Sequence, residues 1–161
     1  VGCVVSTGYD AVVNRRTNQM TTKFGPLSYG WVALSALAEF SPKHYRISVD
    51  GHDRELDAML IAVGNGGHFG GGMRICPYAS VVDGLLDITI IHTVPRRTLL
   101  RCLPFLYAGR FTHLGFVETL RARRVDVDGE DMFAMADGEA IGDVPLSVVV
   151  RPSAVNLVGL P

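Results

Sequence analysis

From Lys43 onward the chain alternates with a period of two. In "KHYRISVD", Tyr45, Ile47 and Val49 fall on one face, and His44, Arg46 and Ser48 on the other. That period belongs to a half-buried strand. After "DGHD" the run "RELDAMLIAV" reads as a second strand. Asp-Gly at 50–51 is a favoured turn for a tight hairpin, because such turns need positive φ. Two strands joined in this way are antiparallel neighbours.

The opening "VGCVVST" and the runs "LLDITIIHT", "VETLRARRVDVD", "DMFAMAD", "VPLSVVVRP" and "AVNLVGLP" read as further strands, separated by Gly, Asp and Pro. Three stretches have helical spacing. "GYDAVVNRRTNQM" has Ser6 or Thr7 as a cap, and "LSYGWVALSALAEF" spaces Trp31, Leu34, Leu37 and Ala38 on one face. "PRRTLLRCLPFLYAG" opens with Pro95 and ends before Gly109, with Pro104 predicting a kink or two short pieces. Strands do not alternate with helices in βαβ fashion. The expected fold is therefore mainly β, an antiparallel β-sandwich with two or three helices, as one domain over 1–161.

Composition limits the function classes. The 161 residues are 48% hydrophobic and 19% charged, which suits one globular domain. A net charge of −1 supplies no basic field, so nucleic acid is not an expected partner. Cys3, Cys76 and Cys102 are far apart, with no CxxC or Cys/His cluster. Neither a disulfide framework nor a zinc site is indicated, in keeping with a cytoplasmic location. Apolar runs such as "MLIAVG" are far shorter than the roughly 20 residues of a membrane span. The chain opens "VGCVVSTGYD" without Met or a basic leader, which suggests part of something longer.

"GNGGHFGGGM" packs six glycines into ten residues, Gly64 to Met73. A P-loop needs a following Lys-Ser/Thr, and a dinucleotide fingerprint needs a helix after its glycines. Neither is present: the chain runs on to Pro77. A close-approach turn or a loop lining a cleft remains. His68 reads as a solvated loop residue, and no HExxH, Ser/His/Asp or Cys/His arrangement points to hydrolysis or acyl transfer.

The wider order is more specific: "GYDAVV", then Asn65, "FGGGM", "CPYASVVDGLLD" and finally "ADGE". Over nearly its whole length the chain resembles the C-terminal half of the bacterial diacylglycerol kinase-like lipid kinases, relatives of sphingosine kinases. Members of that family carry an N-terminal ATP-binding domain with a GGDGT motif, which this sequence lacks. The resemblance implies the substrate-side β-sandwich domain of an ATP-dependent lipid kinase, inactive by itself. It implies Glu139 as general base, with Asp137 orienting the site or contributing to magnesium binding. It implies a weak structural Mg2+ site from the Asp83 carboxylate and the backbone oxygens of Ser80 and Leu85. Asn65, Gly70, Gly71 and Gly72, with Phe69, would line the cleft that receives ATP.

Phosphoryl transfer to a hydroxyl needs a positioned nucleotide, charge compensation and a carboxylate to take the proton, so these residue types suit the task. On the residues alone, "DGE" is equally a hairpin turn. Four Asp-Gly pairs occur, and Asp128–Glu130 is a second "DGE". The later copy is preferred because it follows the apolar "MFAMA" and precedes the final strands, as in the family. Asp83-Gly84 could likewise be a plain turn.

Partners follow from this reading: a diacylglycerol-like lipid, ATP held by the absent domain, peripheral contact with a membrane and a homodimer. In "PRRTLLRCLPFLYAGRF", Arg96, Arg97, Arg101 and Arg110 mix with Leu99, Leu100, Leu103, Phe105 and Leu106, which suits a membrane interface or a helix packed on the sandwich. Two alternatives stay open: a non-catalytic lipid- or partner-binding sandwich, and a kinase for a sphingoid, carotenoid-like or polyprenol alcohol.

Overall fold

Asp50 and Gly51 both take positive φ, 48° and 85°, as a two-residue hairpin turn requires. They join β2 (Lys43–Val49) to β3 (His52–Gly64), with Val49 opposite His52 and Lys43 opposite Ala58. In the computed structural model, residues 4–8, 41–68, 73–137 and 139–155 are described. Their other elements are β1 (Val4–Gly8), β4 (Leu86–His92), helix α1 (Arg96–Ala108), β5 (Val117–Ala122), β6 (Arg124–Gly129), β7 (Phe133–Ala136), β8 (Glu139–Asp143) and β9 (Leu146–Val149). The two helices expected before residue 41 lie outside the described residues, as do the last residues of "AVNLVGLP".

Every strand pair among the described residues is antiparallel, in a single sheet. The mainly β, antiparallel architecture is the one the period-two pattern predicts. Strand β3 is its trunk. Its first half pairs with β2 and its second half with β1, while β4 runs along the opposite edge of that second half. Thr7 Oγ1 donates to the Tyr45 hydroxyl at 3.2 Å where β1 gives way to β2. Burial raises that phenol to about 12.

The second half of β3 and most of β4 are buried on both faces. Leu60 and Ala62 point into one core with Ile91, Leu99 of α1, Phe111 and Ile75. Ile61 and Val63 point into another with Ile88, Ile90, Tyr45, Ile47, Val125 and Val127. Two faces needing cover explain why "MLIAVG" is continuously apolar while "KHYRISVD" alternates. Each large apolar side chain so buried contributes about 1.5–3 kcal/mol.

Three details are decided by the tertiary structure. Helix α1 runs through Pro104 as one helix, not two pieces. It ends at Gly109, where φ is 66° and the Arg110 N–H donates to the Phe105 carbonyl at 2.9 Å, closing the last turn. "VETLRARRVDVD" is two strands, not one. β5 pairs with β4, β6 pairs with β2, and the chain turns between them at Arg123. Asp50 holds that corner: one carboxylate oxygen accepts the N–H groups of Arg123 and Arg124 at 2.9 and 2.8 Å. A turn residue 73 positions away supplies this partner, so local sequence cannot reveal the break. β8, over "EAIGD", is a strand that no period-two alternation marks in the sequence.

Asp50→Ala removes that acceptor and a side chain suited to positive φ. It should destabilise the fold by about 1–3 kcal/mol, measured by urea denaturation. Asp50→Asn, which keeps an acceptor and tolerates the φ, should recover much of the loss; an unchanged midpoint in Asp50→Ala would remove the corner's assigned anchor.

Candidate active site

Antiparallel pairing brings separated parts of the chain to one end of the sheet. At this end β7 finishes at Ala136, β8 starts at Glu139, β1 starts at Val4, β3 finishes at Gly64, β4 starts at Leu86 and β5 finishes at Ala122. The registers Ala136↔Glu139, Val5↔Ala136, Val4↔Gly64, Gly64↔Asp87 and Asp87↔Arg121 lay them side by side. With about 4.8 Å between strands, Glu139 is about 14 Å from Gly64 and about 19 Å from Asp87, measured along the sheet. The "DGE" turn and the Asp83 loop therefore lie at the same end of the sheet, four strands apart in its hydrogen-bonded order.

The antiparallel strands β7 and β8 join between Ala136 and Glu139, so the second "DGE" falls at a hairpin as well as being a candidate site. Asp137 has φ 49°. Its N–H donates to the Val4 carbonyl at 3.0 Å, and its Oδ1 accepts the Val4 N–H at 2.9 Å. This two-way clamp fixes the turn to the start of β1. Glu139 is exposed on β8, which pairs only with β7 among the described strands. A carboxylate on a fixed backbone with its side chain in the open is suited to proton transfer. The other "DGE" is already committed: Asp128 pairs with Arg46 at 2.6 Å and accepts the Gly129 N–H.

Asn65 follows the last residue of β3 and is half-buried; His68 is exposed. Phe69, Gly70, Gly71 and Gly72 lie outside the described residues. For the described glycines the close approach is to the chain itself. A Cβ on Gly64 would stand 2.7 Å from the Gly66 carbonyl oxygen and 2.9 Å from Cys76 Sγ. The Cys76 N–H donates to the Gly67 carbonyl at 3.3 Å. Burial raises the Cys76 thiol to about 12, which makes it a packing group, not a nucleophile.

In the 80–87 loop, Asp83 Oδ1 accepts the Leu85 N–H at 3.0 Å. Asp83 Oδ2 accepts a hydrogen bond from Arg121 Nη2. Arg121 Nε reaches the buried Asp87 carboxylate at 3.4 Å. Desolvation pushes the Asp87 carboxyl above its usual range, opposed by Arg121 and reinforced by the charge of Asp83. Ser80 is half-buried nearby in sequence, and Leu85 presents its N–H, not its carbonyl, to Asp83. Magnesium demands about six oxygen ligands at roughly 2.1 Å. Here both oxygens of the sole carboxylate in the expected set are engaged, one by a cation. No group of three or more metal-ligating side chains occurs among the described residues. As arranged, this donor set does not fit a divalent ion.

Arg121 and Asp87 were missed by sequence reasoning. "VETLRA" shows only that Arg121 lies on a strand; the pairing of β5 with β4 places it opposite Asp87. A groove of about 930 Å3 over β2, β3, β6 and β9 contains none of the expected site residues. Of its charged lining, Arg46 pairs with Asp128 within the groove, and Asp126 pairs with Arg124 beside it. A further charge cluster joins Glu118 to Arg54 in two hydrogen bonds, 2.6 and 2.8 Å, and to His92 at 3.0 Å. The Arg54 bonds hold the Glu118 carboxyl below its ordinary range.

Known proteins share this fold and sequence pattern. Residues 3–159 match the "YegS C-terminal NAD kinase beta sandwich-like domain". A diacylglycerol kinase of Mycobacterium tuberculosis (strain CDC 1551 / Oshkosh) is 35% identical over 157 residues, covering 97% of this chain and 51% of that protein. The "Probable lipid kinase YegS-like" of Pseudomonas fluorescens is 29% identical over 159 residues, covering 93% of this chain and 50% of that protein. A solved diacylglycerol kinase from Bacillus anthracis str. Sterne superposes with a TM-score of 0.55 at 16% identity, over 94% of this chain and 50% of that one. A second structure from that organism reaches 0.66 at 19% identity, over 94% of this chain and 50% of that one. The chain thus spans about half the length of the curated relatives it matches. An antiparallel sheet of this topology, matched by family and by fold across nearly all its residues, belongs to the YegS-type lipid kinase C-terminal domains.

Proposed function

We propose that the whole protein carrying this chain is an ATP-dependent lipid kinase that phosphorylates the hydroxyl of diacylglycerol or a similar lipid alcohol. This chain supplies the lipid-side wall of the site. The observation that carries the reading is the β7–β8 turn: an exposed Glu139 beside an Asp137 clamped to Val4, in a chain of this family. Glu139 accepts the proton of the lipid hydroxyl as its oxygen bonds to the γ-phosphorus of ATP and the bond to ADP breaks. Magnesium bound with ATP offsets the phosphate charge. Asp137 is a positioning residue, because its hydrogen bonds set the backbone from which Glu139 projects. Asn65, at the same end of the sheet, is assigned in this reading to the nucleotide side of the site.

Glu139→Gln in the full-length protein should lower kcat by about 10²–10⁴-fold with ATP affinity unchanged, read by radiolabelled transfer to diacylglycerol and by nucleotide titration. Wild-type turnover in that variant would remove Glu139 from the chemistry and favour a non-catalytic lipid-binding sandwich. A panel of diacylglycerol, sphingoid and polyprenol alcohols separates the substrates, which these side chains treat alike.

Asp137→Ala should lower both kcat and stability, the latter by about 1–2 kcal/mol, while Asp137→Asn retains the acceptor for Val4 and restores both. Loss of turnover in Asp137→Asn, relieved by excess magnesium, would instead give Asp137 a metal-binding role.

The same reading places the protein at a membrane surface on the cytoplasmic side. No helix among the described residues is long and apolar enough to cross a membrane. On α1, Leu99 is buried in the core while Arg97, Arg101 and Phe105 are exposed, Phe105 at 51%. Arg101 and Phe105 are four residues apart and share a helix face. Charge reversal at Arg97 and Arg101 should weaken co-sedimentation with anionic vesicles; equal binding would leave α1 as a packing helix only.

A further inference from the structure

We propose that Arg121 is a built-in counter-cation for the 80–87 loop, standing on Asp83 where a divalent ion would otherwise bind. This end of the sheet then holds its shape without metal. Three observations converge. Arg121 lies directly opposite Asp87 in the β4–β5 register, so pairing of the strands delivers its guanidinium to the loop. That guanidinium spans two carboxylates, Asp83 through Nη2 and Asp87 through Nε. The remaining Asp83 oxygen is taken by the Leu85 N–H, which closes a tight turn at Gly84, φ 68°.

The chemistry of the donors makes the two cations exclusive. A divalent ion on Asp83 would sit within a few ångströms of a fixed positive charge and be repelled by it. It would also need Oδ2 released from Arg121. Arg is always protonated, and its planar fork suits bridging of two carboxylates. Asp87 adds a reason to keep Arg121 in place, because its side chain is only 10% exposed and its carboxylate needs a partner when charged. The bridge ties the loop before β4 to the end of β5, beside the packing of Leu86 with Ala122.

The test uses the nucleotide-free, full-length protein, stripped with EDTA and followed by thermal unfolding with and without millimolar magnesium. Wild type should show the same Tm in both. Arg121→Gln should melt lower and regain about 2–4 °C with magnesium but not with sodium chloride of equal ionic strength. Arg121→Lys should stay metal-insensitive, and Arg121→Gln combined with Asp83→Asn should lose the magnesium response. A wild-type gain in Tm with magnesium that Asp83→Asn abolishes would overturn the proposal, as would an Arg121→Gln variant that folds and ignores magnesium. Should Arg121→Gln fail to fold, equilibrium dialysis of wild type with Mn2+ decides. Binding that Asp83→Asn removes overturns the proposal; binding unchanged by Asp83→Asn supports it.

Discussion

The double pairing of β3 is the constraint on which the structure depends. Thirteen residues from His52 to Gly64 serve β2 along the first half and β1 and β4 along the second. A strand buried on both faces has no water available to its backbone, so each N–H and C=O there needs a neighbour. β1 and β4 supply them. The side chains then alternate between two cores, Leu60 and Ala62 into one, Ile61 and Val63 into the other. Helix α1 covers the first core through Leu99, and the β2–β6 half of the sheet covers the second.

The placement of the candidate site follows from the same pairing. Where β3 ends, its antiparallel neighbours begin, so Val4, Gly64 and Asp87 lie in adjacent register although far apart in sequence. β7 and β8 extend this line outward and put Asp137 and Glu139 at its edge. All the residues of edge strand β8 are exposed, Glu139 among them. The glycines at 64–67 serve a different purpose. They let two stretches of this chain touch, with Cys76 against Gly64 and Gly67.

Electrostatics divides the sheet end into two centres. The Asp137 carboxylate is bound to the Val4 amide, and the Asp83 and Asp87 carboxylates are bound to Arg121. Four strand steps, about 19 Å measured along the sheet, separate Glu139 from Asp87. The two groups of carboxylates thereby have different partners, a backbone amide at Asp137 and a guanidinium at Asp83 and Asp87.

By itself, the sequence determined the strand-rich antiparallel class, the Asp50–Gly51 hairpin, the span of α1 and the identity of the "DGE" and "SVVDGLL" segments as places of interest. These are local matters: alternation, turn chemistry and helix punctuation act within a few residues. Tertiary structure decided the corner at Arg123, the clamp of Asp137 on Val4 and the bridge of Arg121 between Asp83 and Asp87. Each of these depends on a hydrogen bond whose partners are tens of residues apart. Strand register alone determines which side chains meet there, and a single sequence carries almost no record of register.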